Sequence, residues 1–591
     1  MQETKKQNYL KGAAILAAAS VFVKVIGAIY KIPVMNILGD AGSGIFQVTY
    51  NVYSLILTVA TAGIPVALSR LVSSAAARGN TRLVKRYFSI ALPAFTLVGI
   101  VAMLVMFFYA DGFSGLMNNS MASPGIRVLA PAVLFVCIIS VYRGYAQGFG
   151  NMIPTAVSQI VEVVCKAAFG IAAAMWLVRL NYGADIVSSG AIMGVTVGLG
   201  LCIPLLVWYK RRLDRSISAG SADNGNAGVG YPNDAGAAPD DDAAYELPGR
   251  LGVLWRIMKV SIPITLSASF MSIMVVIDNS IVLGRLQNAL GFTEHAASAL
   301  YGMYSRGLTI YNLPPALVVP VSVSIIPAIA AALARKRSGG GGRVGVGAKV
   351  SGGAKVGKGA KVSEGGDATG GEAGIIMQSS VKLVNLLAMP ASAGMMVLAA
   401  PIMTALYNDP RELTSTMLII LGAASFFVCL QYVTTAILQA TGHEKVAMMT
   451  FPVGAALKIL LGYVLAGNPD YGIIASPIGT LACFVVISAL NIAFIMARVK
   501  DRPKFSHVFI KPLLCSAAMA GAAFAVYRSA YWLFSGVLGA GRYAVAAYLG
   551  LSIIAGVAVY GLLIIATRTI TMDDMKLVPK GEKLAKKLRI K

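Results

Sequence analysis

Runs of apolar residues, each about twenty long, recur along nearly the whole chain with short polar connections between them. A hydrocarbon core about 30 Å thick needs roughly that length of helix to cross it. Lipid offers no partner for backbone N–H and C=O groups, so such runs must close their hydrogen bonds internally, as helices do. Of the 591 residues, 57% are hydrophobic and only 13% charged, whereas soluble domains carry about 25% charge. The expectation is an all-α polytopic membrane protein with about 14 transmembrane helices: two parallel six-helix repeats plus two C-terminal helices. The expected spans are 10–37, 44–76, 85–110, 125–147, 153–178, 184–209, 253–284, 299–333, 376–406, 413–440, 446–466, 472–498, 509–535 and 543–568. The stretch before Ala17-x-Ala19 is too short for a signal-peptide core, so the first helix is read as uncleaved.

Charge sorts by loop. The formal net charge is +25, but the basic residues collect between apolar runs, which points away from nucleic acid. Arg78, Arg82, Lys85 and Arg86 follow the second span, and Lys210, Arg211, Arg212 and Arg215 the sixth. Arg335, Lys336 and Arg337 follow the eighth; Arg498, Lys500, Arg502 and Lys504 follow the twelfth, and the C-terminal tail is basic. The alternate loops carry Asp40, Asp111, Asp185, Asp409 and Asp470. By the positive-inside rule both termini are expected in the cytoplasm, in a multi-pass membrane protein. The six cysteines lie in apolar runs without a CxxC pair, and the three histidines are isolated in expected loops. No metal site and no cofactor is expected.

Two stretches break the pattern. Residues 216–250 are rich in Gly, Ala, Asn and Asp, and residues 338–374 repeat Gly-Ala-Lys-Val. Both are too poor in apolar residues to fold alone and are read as disordered cytoplasmic linkers. Gly352–Lys358 imitates a P-loop, but Gly359 stands where Ser or Thr is required. The expected organisation is an N-terminal six-helix lobe (1–215), a linker (216–250), a C-terminal six-helix lobe (251–500, with the insertion 338–374), then two further helices and the basic tail (501–591). Gln147-Gly-Phe-Gly-Asn151 aligns with Gln439-Ala-Thr-Gly-His443, placing Gly150 on Gly442, Lys166 on Lys458 and Gly170 on Gly462. Ile64-Pro-Val-Ala-Leu-Ser69 is similar to Val319-Pro-Val-Ser-Val-Ser324. Copies with an even helix count share one orientation, which favours a central site and alternating access.

Ionisable residues inside the expected spans are Lys24, Lys31, Arg70, Glu162, Lys166, Asp278, Arg306, Lys382 and Lys458. A charge in a membrane costs about 3 kcal/mol or more, so each is a functional candidate. Arg306 precedes Pro314-Pro315 in Met303–Pro320, a bent helix that would form a moving wall of an anion-binding cavity, unless the arginine snorkels to the interface. Lys24 and Lys31 are two turns apart on one face. The cationic excess suits a phosphate or pyrophosphate. Arg70 and Lys382 have a bland alternative near helix ends, and Glu162 with Lys166, spaced i,i+4, could neutralise each other. Asp278 would pair with a cavity cation or take a coupling ion. Tyr50, Tyr53, Tyr301, Tyr304 and Tyr311 would line the cavity or form an interfacial belt.

These features resemble the MOP (multidrug/oligosaccharidyl-lipid/polysaccharide) exporter superfamily, and within it the branch of MurJ-type lipid II flippases and the stage V sporulation protein B group. The resemblance rests on Lys24-Val-Ile-Gly-Ala-Ile-Tyr-Lys31, Gly39-Asp-Ala-Gly-Ser-Gly-Ile-Phe46, Ala62-Gly-Ile-Pro-Val-Ala-Leu-Ser-Arg70, Arg143-Gly-Tyr-Ala-Gln-Gly-Phe-Gly-Asn-Met-Ile-Pro154 and Ser305-Arg306. It implies a non-enzymatic flippase for undecaprenyl-pyrophosphate-linked peptidoglycan precursor. Arg306 matches a cavity arginine of that branch and Lys24 a helix-one arginine; Lys31 lies one residue past the second basic position, where this chain has Tyr30.

Lys24, Lys31 and Arg306 are thus the expected pyrophosphate ligands, with Arg70, Glu162, Lys166, Asp278 and Lys458 as cavity or coupling candidates. Expected partners are a lipid-linked anionic oligosaccharide, membrane lipids and cell-wall synthesis proteins, with the chain a monomer. Sodium, protons or the membrane potential are candidate drives. The rival readings are another lipid-linked polysaccharide unit and a cation-coupled multidrug antiporter, which would favour an acidic, aromatic cavity. A membrane glycosyltransferase is disfavoured by short outer loops.

Overall fold

The structure is a computed structural model. It describes residues 2–78, 80–222, 249–319, 372–499, 505–539 and 541–567, with Ser322, Ile326, Ile329 and Thr569. Most of 338–374, most of 216–250 and nearly all of the basic tail lie outside the described residues; 216–222 and 372–374, read as linker, are helical. The described residues are helical throughout, joined by turns, as the apolar runs require. Twelve segments among them are long and apolar enough to cross a membrane, where the sequence reading expected fourteen. The first, Phe22–Ala76, runs for 55 residues across a break, and the expected span 299–333 is described only in part.

The chain divides into two compact units, Met1–Ser305 and Arg306–Lys591. The first holds α1 (Gln2–Thr61), α2 (Ile64–Ala77), α3 (Thr81–Phe108), α4 (Ala110–Leu116), α5 (Ser123–Gly148), α6 (Ile153–Arg179), α7 (Ala184–Ala222), α8 (Arg250–Asn288) and the start of α9 (Glu294–Tyr311). The second holds the end of α9, then α10 (Glu372–Val397), α11 (Ala399–Tyr407), α12 (Glu412–Ala440), α13 (Glu444–Ala466), α14 (Ala475–Arg498), α15 (Phe505–Leu538) and α16 (Arg542–Ala566).

Local chemistry explains the breaks. Helix α1 kinks at Gly39, where φ is 67° and ψ −167°, a conformation open essentially to glycine. That kink separates the first two expected spans. The chain breaks again ahead of α2, where Pro65 occupies the first helical turn. Gly63 at that break lets α8 approach: a Cβ there would stand 2.3 Å from the Ser261 carbonyl oxygen. Helix α9 ends at Tyr311, just before Leu313-Pro314-Pro315, and helix resumes over 313–319. The proline pair therefore interrupts the helix, because neither proline can donate to the preceding turn.

The internal repeat has a structural counterpart. Gly150 and Gly442 both sit at positive φ, 73° and 81°. Their N–H groups donate to the carbonyls of Gln147 and Gln439 at 2.9 and 3.2 Å. The next N–H groups, of Asn151 and His443, return to Ala146 and Leu438 at 3.1 and 2.8 Å. Both helices thus end in the same left-handed cap. Each following helix carries the paired lysine against a glycine of its neighbour. A Cβ on Gly194 of α7 would stand 2.6 Å from the Lys166 carbonyl oxygen, and one on Gly479 of α14 would stand 3.2 Å from Lys458 Cγ. Close backbone approach at small residues is how membrane helices gain contact without a hydrophobic driving force.

Candidate functional site

In the first unit α1 and α6 bring two lysines together. The Lys31 ammonium donates to Gln47 Oε1 at 2.8 Å, and Gln47 Nε2 donates to Asn51 Oδ1 at 2.9 Å. Gln47 and Asn51 are one helical turn apart beyond the Gly39 kink, which folds that part of α1 back within reach of Lys31. The Lys166 ammonium lies 5.0 Å from the centre of the Tyr50 ring and 5.4 Å from that of Tyr30. Aromatic faces stabilise a desolvated cation by up to about 2 kcal/mol without cancelling its charge. Tyr30 Oη is buried and makes no hydrogen bond.

Glu162 forms no ion pair with Lys166. It pairs instead with Arg143 of α5 at 3.0 Å, and Arg143 Nε also donates to Ser158 Oγ at 2.9 Å. Arg143 lies inside the expected span 125–147 but escaped the inventory of buried charges. Its position one helix before Glu162 was the available signal. With Glu162 engaged, no carboxylate among the described residues pairs with Lys166. Two lysines held by a neutral amide and two phenol rings keep as many as five N–H donors beyond the one given to Gln47, and net positive charge, which suits a multiply charged oxyanion.

In the second unit Arg306 sits in a different environment from the one expected. Its guanidinium donates to Asp409 at 3.2 Å and lies 5.6 Å from the Tyr407 ring. Asp409 is also held by Arg411, through Nε at 2.7 Å and Nη2 at 2.6 Å. Arg306 is 4% exposed and Asp409 2%. Burial alone would push the Asp409 carboxyl up; hydrogen bonds from Arg411 and the charges of Arg411 and Arg306 outweigh it and hold the carboxyl below the ordinary carboxylate range. Asp409, read from sequence only as an outer-loop acid, is the residue that accommodates the buried arginine.

The remaining candidates are dispersed. Lys24 and Arg70 are exposed, Lys458 is half-buried and Asp278 is buried beside Asn279. Tyr53, Tyr301, Tyr304 and Tyr311 are buried rather than set in an exposed belt. His295 and His507, expected in loops, lie in the first turns of α9 and α15. None of the six cysteines is in a disulfide, and no group of three or more metal-ligating side chains occurs among the described residues.

The family model described as polysaccharide biosynthesis protein matches residues 9–218, and the MatE model matches residues 366–464. Three Bacillus subtilis proteins are similar over most of the chain. They are the uncharacterized membrane protein YabM (24% identical, 99% of this chain and 97% of that protein), the lipid II flippase MurJ (23%, 80% of each) and stage V sporulation protein B (24%, 83% of each). Among solved structures, the inward closed conformation of the lipid II flippase MurJ superposes with a TM-score of 0.56 at 12% identity, covering 93% of this chain and 98% of that one. An inward-facing multidrug resistance MATE family transporter of the MOP superfamily gives 0.57 at 13%, covering 82% and 98%. Residue pattern, helical architecture, family models and relatives agree: this is a multi-pass membrane protein with the transporter fold, similar to the flippases and transporters of the MOP exporter superfamily.

Proposed function

We propose that the chain is a flippase that exports an undecaprenyl-pyrophosphate-linked peptidoglycan precursor, lipid II, across the bacterial cytoplasmic membrane by alternating access. The observation that carries the reading is the uncompensated positive charge of Lys31 and Lys166 in the first unit. A half-buried cation still loses part of its hydration, so a site that keeps two with no carboxylate paired to them favours an anionic cargo. A site for cationic drugs would need the opposite sign. The similarity to MurJ and to the polysaccharide biosynthesis family supports a lipid-linked saccharide as cargo.

In this reading Lys31 and Lys166 grip the pyrophosphate, and the exposed Lys24, two turns before Lys31, draws the anion in. Arg306 contributes only in a conformation that opens its pair with Asp409. No chemical step is required of the protein. The cytoplasm-negative potential, worth about 2.3 kcal/mol per charge per 100 mV, drives an anion outward or resets the emptied cationic site. Sodium or proton coupling is the alternative drive. The basic loops support a topology with both termini in the cytoplasm.

The test is complementation. A bacterium depleted of its own lipid II flippase is given the wild-type chain, Lys31→Gln or Lys166→Gln at matched membrane levels. Rescue by wild type and failure of both variants is expected. Rescue by all three would remove the site, and no rescue by a well-expressed wild type would shift the cargo to another lipid-linked polysaccharide unit.

A further inference from the structure

Lys31 is the first link of a hydrogen-bonded chain along the part of α1 beyond the Gly39 kink. Lys31 donates to Gln47 and Gln47 to Asn51. Both amide residues are buried, at 9% exposure for Gln47 and 8% for Asn51.

This chain has an electrostatic consequence. A carboxylate in place of Gln47 would satisfy Lys31 and discharge it. An apolar side chain would leave the ammonium to choose its own rotamer. An amide oxygen takes one of its three N–H groups and leaves two for an anion. The Gln47 amide cannot turn away without breaking its bond to Asn51. Donor chains of this kind polarise one another, so each bond strengthens the next. We propose that Gln47, backed by Asn51, is the positioning residue of the anion site: it fixes the Lys31 ammonium without neutralising it. The inference rests on the reading of Lys31 as an anion ligand, and it adds that an amide pair beyond the Gly39 kink sets where that ligand stands.

The test uses the purified full chain in lipid nanodiscs. Undecaprenyl pyrophosphate is the probe and undecaprenol the neutral control. Losing one hydrogen bond to a charged group corresponds to about tenfold in affinity. Gln47→Leu should therefore weaken the pyrophosphate lipid about tenfold, and Gln47→Glu should weaken it at least as much despite keeping a hydrogen bond. Asn51→Leu, which does not touch Lys31, should weaken it several-fold with undecaprenol binding unchanged, and this variant serves if Gln47→Leu fails to fold. Pyrophosphate binding by Asn51→Leu equal to wild type would overturn the proposal.

A second readout separates this inference from the functional reading. Amine-selective labelling of Lys31, read by mass spectrometry with the exposed Lys24 as internal control, should change several-fold in Gln47→Leu and Asn51→Leu. If wild type does not prefer the pyrophosphate lipid to undecaprenol, the flippase reading fails. A changed Lys31 labelling rate would then still support positioning, and an unchanged rate would overturn it.

Discussion

Two arginines converge on Asp409, one buried and one half-exposed. Removing one partner of a buried pair leaves an uncompensated charge and costs about 3–5 kcal/mol. Asp409→Leu should therefore lower the melting temperature sharply, and Arg306→Met in the same chain should recover part of the loss. Calorimetry on the single and double variants measures that coupling. The pH dependence follows from the depressed carboxyl of Asp409. Its stabilisation is complete above the unfolded value near ~3.9 and is lost as pH falls through the lower folded value. The gap in melting temperature between wild type and Asp409→Leu should be constant from pH 6 to 8, about neutrality, and should close only below about pH 4. Arg306 was legible in the sequence as a cation in an apolar run. Its partner was not, because the two residues are 103 positions apart and no periodicity links them. Glu162 and Lys166 show the converse. Their i,i+4 spacing suggested a pair, but Arg143 on the preceding helix takes the carboxylate.

The crossing of α6 and α7 depends on missing side chains. A Cβ on Gly194 would stand 2.5 Å from the Gly170 backbone nitrogen, and one on Gly170 would stand 2.6 Å from the Ala191 carbonyl oxygen. Gly194→Leu should push these helices apart and cut the yield of monodisperse protein in size-exclusion chromatography. Gly27→Ala, with nothing within 4 Å of the added carbon, should leave the yield unchanged. A second set of ties lies at the end of α3 remote from Arg82 and Lys85. Asn119 Nδ2 donates to Ser298 Oγ at 2.9 Å, Gln287 Nε2 to the Asn118 carbonyl at 2.6 Å, and Ser120 Oγ to Glu294 at 2.8 Å. The exposed pair Ser120→Cys/Glu294→Cys should be bridged by a short bis-thiol reagent. If the transport cycle parts these elements, bridging should stop transport and reductant should restore it; undiminished transport would mean that they move together. Helix limits were readable because caps and prolines mark them: the expected span 153–178 became Ile153–Arg179, and 413–440 became Glu412–Ala440. The run of α1 through Gly39 was not readable, since the helix resumes directly after the kink.

Across the whole molecule the class was legible earliest, because a chain that is 57% hydrophobic in recurrent runs has few solutions in lipid. The repeat was legible through Gly150 and Gly442, whose positive φ demands glycine in both copies. The cationic site was legible in part. Lys31 stood out as a charge in an apolar run, whereas the setting of Lys166 between two tyrosines depends on how α1 folds back at Gly39. The account's central claim is that this charge moves an anionic lipid headgroup. The most direct measurement is translocation of fluorescent lipid II in proteoliposomes under an imposed potential, for wild type and for Lys31→Gln/Lys166→Gln. Transport by wild type that speeds with an inside-negative potential in the outward direction, and at least about tenfold less in the double variant, is the predicted result. Undiminished transport by the double variant would contradict the account.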